Sequence, residues 1–271
     1  MKNLLLTLVL GVLFMVPAFG QTQIPVGENL YRDGSGIIYS RETSVDLKLL
    51  QTNGWSVGMN FGKFKTFYLL RYYNIEFGEI KSPREYRQSF DYFQGTTFSD
   101  VSRPFIFGKQ NKFFVLRGGF GEKRLLSEKA RRKGLAVGVS YEAGPSLGFL
   151  KPYYLEFLVR VPDGGRVVKV SEKYSLENES RFLDITSIYG GAGFTKGLSE
   201  LGLVPGGHLK GALHFDWGAF DEMVKAIELG FVVDFYFQKI PIMVESPNLE
   251  NVKNTPVFVN LYLNLQLGKR R

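Results

Sequence analysis

Residues 257–267 read Val257-Phe258-Val259-Asn260-Leu261-Tyr262-Leu263-Asn264-Leu265-Gln266-Leu267. Every second side chain is aliphatic, and those between are aromatic or amide. A strand turns successive side chains to opposite faces, so this stretch predicts a β-strand with one apolar and one polar face. The pattern recurs upstream. Ile227, Leu229, Phe231, Val233, Phe235 and Phe237 alternate with Glu228, Gly230, Val232, Asp234 and Tyr236. Leu209, Leu213, Phe215 and Trp217 oppose His208, Lys210, His214 and Asp216, while Leu135, Val137, Val139 and Tyr141 oppose Gly138, Ser140 and Glu142. Trp55, Val57, Met59 and Phe61 oppose Ser56, Gly58, Asn60 and Gly62. Strands are predicted over 37–50, 54–64, 66–79, 111–120, 134–143, 146–160, 182–196, 206–217, 226–239 and 256–268. Neither face of 182–196 is cleanly apolar. Lys151-Pro152 interrupts 146–160, and proline marks edges and bulges.

Alternation alone fits a secreted sandwich as well as a membrane barrel. Length favours the barrel. Several segments far exceed the ~5–6 residues usual in soluble sheets and reach the ~9–11 that a tilted strand needs to cross hydrocarbon. The polar faces mix glycine, amides and both signs of charge, which suits a wet or crowded lumen. Backbone groups in lipid must all be paired, so the sheet closes, with 256–268 against 37–50. The predicted fold is all-β: a closed antiparallel transmembrane β-barrel of ten strands, or of eight if 111–120 and 182–196 lie in loops. Phe113, Tyr236, Phe258 and Tyr262 point inward and narrow the lumen, while Leu261, Leu263, Phe231 and Val233 face lipid.

The N-terminus carries Lys2, an apolar run over 4–16 and the small residues Ala18 and Gly20. This predicts a signal peptide over 1–20, cleaved after Gly20, and a barrel formed by 21–271 and exported to the outer membrane. The 271 residues include no cysteine and two histidines, with a formal net charge of +8. Disulfides and thiolate chemistry are excluded, and a histidine-rich metal site is disfavoured.

The composite resembles the small β-barrel outer-membrane proteins of Bacteroidota, many of which have no assigned function. The resemblance rests on the signal peptide, Ser40-Arg41-Glu42, Thr52-Asn53-Gly54-Trp55 and Phe107-Gly108-Lys109-Gln110-Asn111. It continues in Ala143-Gly144-Pro145-Ser146-Leu147-Gly148 and Lys151-Pro152-Tyr153-Tyr154-Leu155-Glu156, and covers most of the mature chain. It implies the fold and the compartment rather than an activity. The chain departs from the common barrel ending: it finishes Leu267-Gly268-Lys269-Arg270-Arg271 instead of on an aromatic residue.

Asn53-Gly54 signals a two-residue hairpin, and Gly62-Lys63-Phe64-Lys65 and Ala143-Gly144-Pro145-Ser146 read as tight connections. The long connections are 80–110, 121–133, 161–181 and 240–255. With both chain ends periplasmic, ten strands place 80–110 and 240–255 outside. They place 121–133 and 161–181 on the periplasmic side, where turns are normally short. Segment 121–133, GEKRLLSEKARRK, carries six positive and two negative charges and can form a short helix. Its Lys123, Arg124, Arg131, Arg132 and Lys133 form a basic surface for lipid headgroups or an acidic partner, or else a solvated loop. In 80–110, Arg84, Tyr86, Arg87, Phe90, Tyr92 and Phe93 combine the aromatic and arginine character of protein interfaces. The same segment can equally fold on itself as a cap over the barrel mouth.

No catalytic constellation is legible. His208 and His214 are six residues apart, or ~20 Å along a strand, too far to share a metal. Ser56, Ser140 and Ser146 lack motif context for a nucleophile. Asp234, Glu228, Glu142, Glu156, Arg71 and Lys210 read as lumen charges that cross-link the barrel. No cofactor is implied, and nothing interleaves aromatics with basic residues as single-strand nucleic-acid binding requires. The expected function is a non-enzymatic outer-membrane barrel, a structural or accessory subunit of an assembly, secretion or transport machinery. Its expected partners are membrane lipid and other outer-membrane or periplasmic proteins. A small channel or ligand-binding barrel is the alternative, and a membrane-embedded hydrolase a more distant one.

Overall fold

The computed structural model describes residues 39–66, 68–89, 102–126, 135–160, 167–217, 221–246 and 252–271. The signal-peptide segment 1–20 lies outside them. The strands in chain order are β1 (Arg41–Leu50), β2 (Trp55–Thr66), β3 (Leu69–Ile80), β4 (Arg87–Gln88), β5 (Phe105–Ile106), β6 (Asn111–Leu125), β7 (Ala136–Pro152), β8 (Tyr154–Arg160), β9 (Val167–Lys173), β10 (Ile188–Gly191), β11 (Gly202–Asp216), β12 (Met223–Tyr236) and β13 (Val257–Arg270). Eight of them close an antiparallel barrel in the order β1-β13-β12-β11-β7-β6-β3-β2. The seam runs from Glu42 opposite Arg270 to Leu50 opposite Tyr262. A separate three-stranded sheet has the order β10-β8-β9, and β4 pairs with β5.

Barrel strands run from 10 to 17 residues, and their burial alternates strictly where the sequence alternates. Leu47, Val57, Ile75, Leu213, Phe231, Leu261 and Leu263 are exposed on the outer wall, and Val233 is half-buried there. Glu76, Arg117, His208, Asp234, Asn264 and Gln266 are buried inside. This is the inverse of a water-soluble protein, in which charge faces out and apolar side chains face in.

The barrel has eight strands rather than ten, for two physical reasons. Segments 134–143 and 146–160 are not separated by a turn: β7 runs straight through Ala143-Gly144-Pro145-Ser146. Pro145 has no N–H to donate, and the β6 ladder skips from Arg117–Ser146 to Phe120–Ala143 there. The gap is filled by glycine, since a Cβ on Gly144 would fall 2.0 Å from the Gly118 carbonyl oxygen. The remainder of 146–160 leaves the wall as β8, and 182–196 lies outside the wall, with only Ile188–Gly191 of it forming β10 of the same small sheet. Residues 62–65 likewise belong to β2, which continues to Thr66. The first connection is longer than a two-residue hairpin: Leu50 N–H donates to the Gly54 carbonyl at 2.9 Å, with Asn53 alone left-handed at φ 58°.

Eight strands place every connection consistently. The β2–β3, β6–β7 and β11–β12 connections and both ends of the barrel-forming chain lie at one rim. Connections 51–54, 81–110, 153–201 and 237–256 lie at the other. Segment 161–181 therefore leaves the same rim as 80–110, not the rim of the chain ends. β6 extends to Leu125, so residues 121–125 are wall rather than loop or helix.

The gap predicts an asymmetry. Gly144→Ala should cost about 1–3 kcal/mol by overpacking the 118–119 backbone. Gly118→Ala, whose Cβ meets nothing within 4 Å, should change stability by no more than about 0.5 kcal/mol. Urea unfolding of the reconstituted barrel checks both.

Candidate functional site

The lumen is occupied by a network that touches all eight barrel strands. Arg117 on β6 donates through Nε and Nη2 to both carboxylate oxygens of Asp234 on β12, at 2.7 Å each. Its Nη1 donates to Glu76 on β3 at 2.5 Å. The other Glu76 oxygen accepts from Lys48 of β1 at 2.5 Å and Lys210 of β11 at 2.7 Å. Lys210 also reaches Glu142 of β7 at 2.8 Å. Towards the short-turn rim, Lys123 donates to Gln266 at 2.7 Å, and Gln266 to Asp46 at 3.0 Å. Arg270 closes this end by donating to Glu42 at 2.8 Å and Asp216 at 2.5 Å. His214 lies 3.0 Å from Glu228, which also accepts from Asn264 at 2.9 Å. Asn74 donates to Asn60 of β2 at 2.6 Å. The gap beside Asp46, Lys48, Tyr72 and Lys123 has room for on the order of one water molecule.

The long-loop end of the lumen is apolar. Ile80, Phe113, Val115, Val204 and Tyr236 of the wall pack on Ile240, Ile242 and Met243 of the β12–β13 connection. Phe258 completes the plug, its ring 5.7 Å from Phe113 and 6.2 Å from Tyr236. Backbone bonds fix the inserted segment: the Ile242 carbonyl accepts from the N–H groups of Gln110 and Asn111 at 2.9 and 3.1 Å. The Asn254 side chain accepts from the Ile242 and Met243 N–H groups. The inward aromatics expected from the sequence are thus in place: Phe113, Tyr236 and Phe258 line the plug, and Tyr262 is buried in the lumen.

Above the plug the described parts of the long connections fold together. Phe105, Tyr153, Leu155, Phe157, Phe182, Ile188 and Val244 form a second core under the β8–β10 sheet. Lys109 is buried beneath it, ion-paired with Glu85 and 6.0 Å from the centre of the Tyr153 ring. Burial lowers the Lys109 ammonium and raises the Tyr153 phenol relative to their ordinary values. The described part of 80–110 therefore takes the self-packed arrangement.

The sequence-predicted candidates do not assemble into one site. Arg84, Tyr86 and Arg87 are exposed at the long-loop end, Tyr86 at 72%. Phe90, Tyr92 and Phe93 lie outside the described residues, as do Arg131, Arg132 and Lys133. Lys123 and Arg124 are wall residues: Lys123 points into the lumen, whereas Arg124 points outward to Glu122 at 3.3 Å. Of the expected lumen charges, Asp234, Glu228, Glu142 and Lys210 are inside. Arg71 is on the outer wall, 2.6 Å from Glu122, and Glu156 is on β8 of the cap sheet.

Sequence reasoning also missed one alignment. Ser146 Oγ lies 3.1 Å from His208 Nδ1, and His208 Nε2 lies 3.0 Å from Glu142. Serine, histidine and acid in line is the order of a nucleophilic relay. Here the serine is buried in the filled lumen and Glu142 is shared with Lys210. The three act as part of the network. No signal local to any of them could have shown it, because 62 positions separate Ser146 from His208.

The sequence matches no known protein family and no curated protein. Among solved structures it is similar to the N-terminal β-barrel domain of Pseudomonas aeruginosa OprF, at 11% identity over 86% of this chain and 98% of that one, with a TM-score of 0.33. It is also similar to Ail, the attachment invasion locus protein of Yersinia pestis, crystallised with the heparin analogue sucrose octasulfate. That match has 9% identity, covers 86% of this chain and 96% of that one, and has a TM-score of 0.34. Likeness at this level carries no inference about function; the closed barrel rests on its own strand pairing.

The network predicts coupled energetics. Arg117→Leu should cost about 3–5 kcal/mol by leaving Asp234 charged and unpaired in the interior. Adding Asp234→Leu should restore part of that loss, and a double-mutant cycle of unfolding free energies reads the coupling.

Proposed function

We propose that the chain is an integral outer-membrane barrel without enzymatic activity, an accessory subunit of an outer-membrane protein assembly, like the Bacteroidota barrels its sequence resembles. The observation that carries this reading is the pairing of an exposed aliphatic wall with a lumen filled by paired charge and an apolar plug. A continuous apolar belt of this kind is tolerated in hydrocarbon and not in water. A filled lumen leaves the rims to do the work. The three longest connections leave one rim, as in barrels whose long loops face outside, although the ten-residue β6–β7 connection lies at the other. On that orientation the cap is external and presents Arg84, Tyr86 and Arg87 to a protein partner. The rim of the chain ends carries outward Arg41, Lys63, Arg71, Arg124, Lys225 and Lys269, a belt suited to headgroups on the periplasmic side. There the basic segment with Arg131, Arg132 and Lys133 meets the same headgroups or an acidic partner.

Depth in the bilayer gives one test. Leu263→Arg should make insertion less favourable by about 2–4 kcal/mol, and Leu267→Arg, two positions before Lys269, by only about 0–1 kcal/mol. Equal costs in vesicle refolding titrations would remove the membrane reading.

Two further measurements test the role. Planar bilayers containing the protein should show no conductance above background, and stable channels would favour the pore alternative. Detergent extraction under native conditions should recover the protein with a partner, and alanine at Tyr86, Phe90 and Tyr92 should release that partner with little dependence on salt. Recovery of the same partner in wild-type amounts would overturn the docking role of the cap.

A further inference from the structure

Lys112 is the second residue of β6 and Lys151 the penultimate residue of β7, and the register sets them directly opposite each other. Both leave the outer side of the wall. Their neighbours Phe113 and Leu150 point the other way, into the plug. Like charges directly opposite in a sheet repel. Neither ammonium has a carboxylate or other hydrogen-bond partner among the described residues. Lys151 is only 3% exposed, and the neighbouring charge that bears on it is the repulsive one of Lys112.

Phe194, from the segment that follows β10, reaches both lysines. Its ring centre is 4.3 Å from Lys151 Nζ and 5.1 Å from Lys112 Nζ. The ring meets the outward Phe114 of β6 edge-on at 6.3 Å and remains 57% exposed. A third cation stands nearby: a Cβ on Gly193 would fall 2.9 Å from Arg103 Nη1. A ring face attracts a cation but carries no net charge, so it cannot neutralise two ammonium groups that burial has partly stripped of water. The outward pair Arg41 and Lys63 at the other rim is also directly opposed, but both are exposed and solvated.

We propose that Lys112 and Lys151, with Phe194, form a binding site for the phosphate group of a membrane lipid at the long-loop rim. The ammonium groups take phosphate oxygens as point charges. The exposed ring lies among the upper parts of the acyl chains, next to Phe114 on the apolar wall. A free phosphate shares the headgroup chemistry but gains nothing from the ring. The inference rests on the membrane reading, because only a bilayer brings lipid phosphate to that height on the wall.

Native mass spectrometry of the full chain, released from micelles containing phosphatidylglycerol and diacylglycerol of matched chains, tests it. The wild type should retain phosphatidylglycerol in preference to diacylglycerol. Lys112→Gln/Lys151→Gln should lose about tenfold or more of that preference, whereas Lys112→Arg/Lys151→Arg should keep it, which separates lost charge from lost fold. Lys239→Gln, at an exposed lysine of the β12–β13 connection outside the site, should behave as wild type. Unchanged preference in the glutamine variant overturns the site. Displacement of the lipid by millimolar inorganic phosphate overturns the lipid assignment in favour of a free anion. Failure of the wild type to fold into micelles or vesicles at all would instead count against the membrane reading.

Discussion

Neither face of the barrel wall offers its backbone a substitute for a neighbouring strand. The outer face is aliphatic, and the inner face is already committed to side-chain pairing. Closure between β1 and β13 is therefore the constraint on which the rest depends, since without it two long edges of N–H and C=O groups would be left unpaired. The lumen reinforces that seam from inside. Gln266 donates to Asp46 and Arg270 to Glu42, each bond crossing from β13 to β1. These pairs are also sensitive to register. Sliding β13 by one residue would turn Leu263 and Leu265 into the charged interior and Asn264 and Gln266 outward, so the backbone ladder and the side-chain network enforce the same alignment.

An even number of strands returns the chain to the rim where it began, and the three longest connections, 81–110, 153–201 and 237–256, all leave the opposite rim. That rim can then do what a single loop cannot. Residues 240–244 enter between the wall and the β8–β10 sheet, with Ile240, Ile242 and Met243 in the plug and Val244 in the core of the cap. Plug and cap share one short segment, and the charged network lies beneath an apolar lid. Burial of this many ionic groups stabilises only when each is paired, and removal of any one exposes its partner to the full cost of desolvation.

The period of two carried most of the fold: the outer and inner faces of β1, β2, β11, β12 and β13 were legible residue by residue. The sequence misled where turn chemistry and strand chemistry coincide. Ala143-Gly144-Pro145-Ser146 has the composition of a turn, yet it lies mid-strand because Gly118 and Gly119 opposite give the proline and the close backbone approach their space. Segment 182–196 lacks an apolar face because it belongs to the cap rather than to the barrel wall. Lumen partners were legible as inward charges but not as pairs, since Arg117 and Asp234 are 117 positions apart and only the strand order brings them together. The pairing of Lys112 with Lys151 depends in the same way on register. Lys123 and Arg124 read as loop because β6 carries charge on both faces near its end, where the wall passes from apolar to polar surroundings.

The folded cap changes the argument about what its ordering requires. Fixing a residue costs about 1–2 kcal/mol of conformational entropy, and in a long solvated connection such a cost points to an external partner. Here Phe105, Tyr153, Phe157, Phe182 and Ile188 supply an internal core, so the order of the cap is explained by its own packing. The proposed docking role rests instead on the side chains exposed above this packing. Glu85 turns inward to Lys109 and to the Ser82 N–H at 3.0 Å, while Arg84, Tyr86 and Arg87 on either side of it turn outward. A tyrosine exposed between two arginines adds nothing to the core beneath it. On the proposed docking role, that ring is the contact offered to a partner.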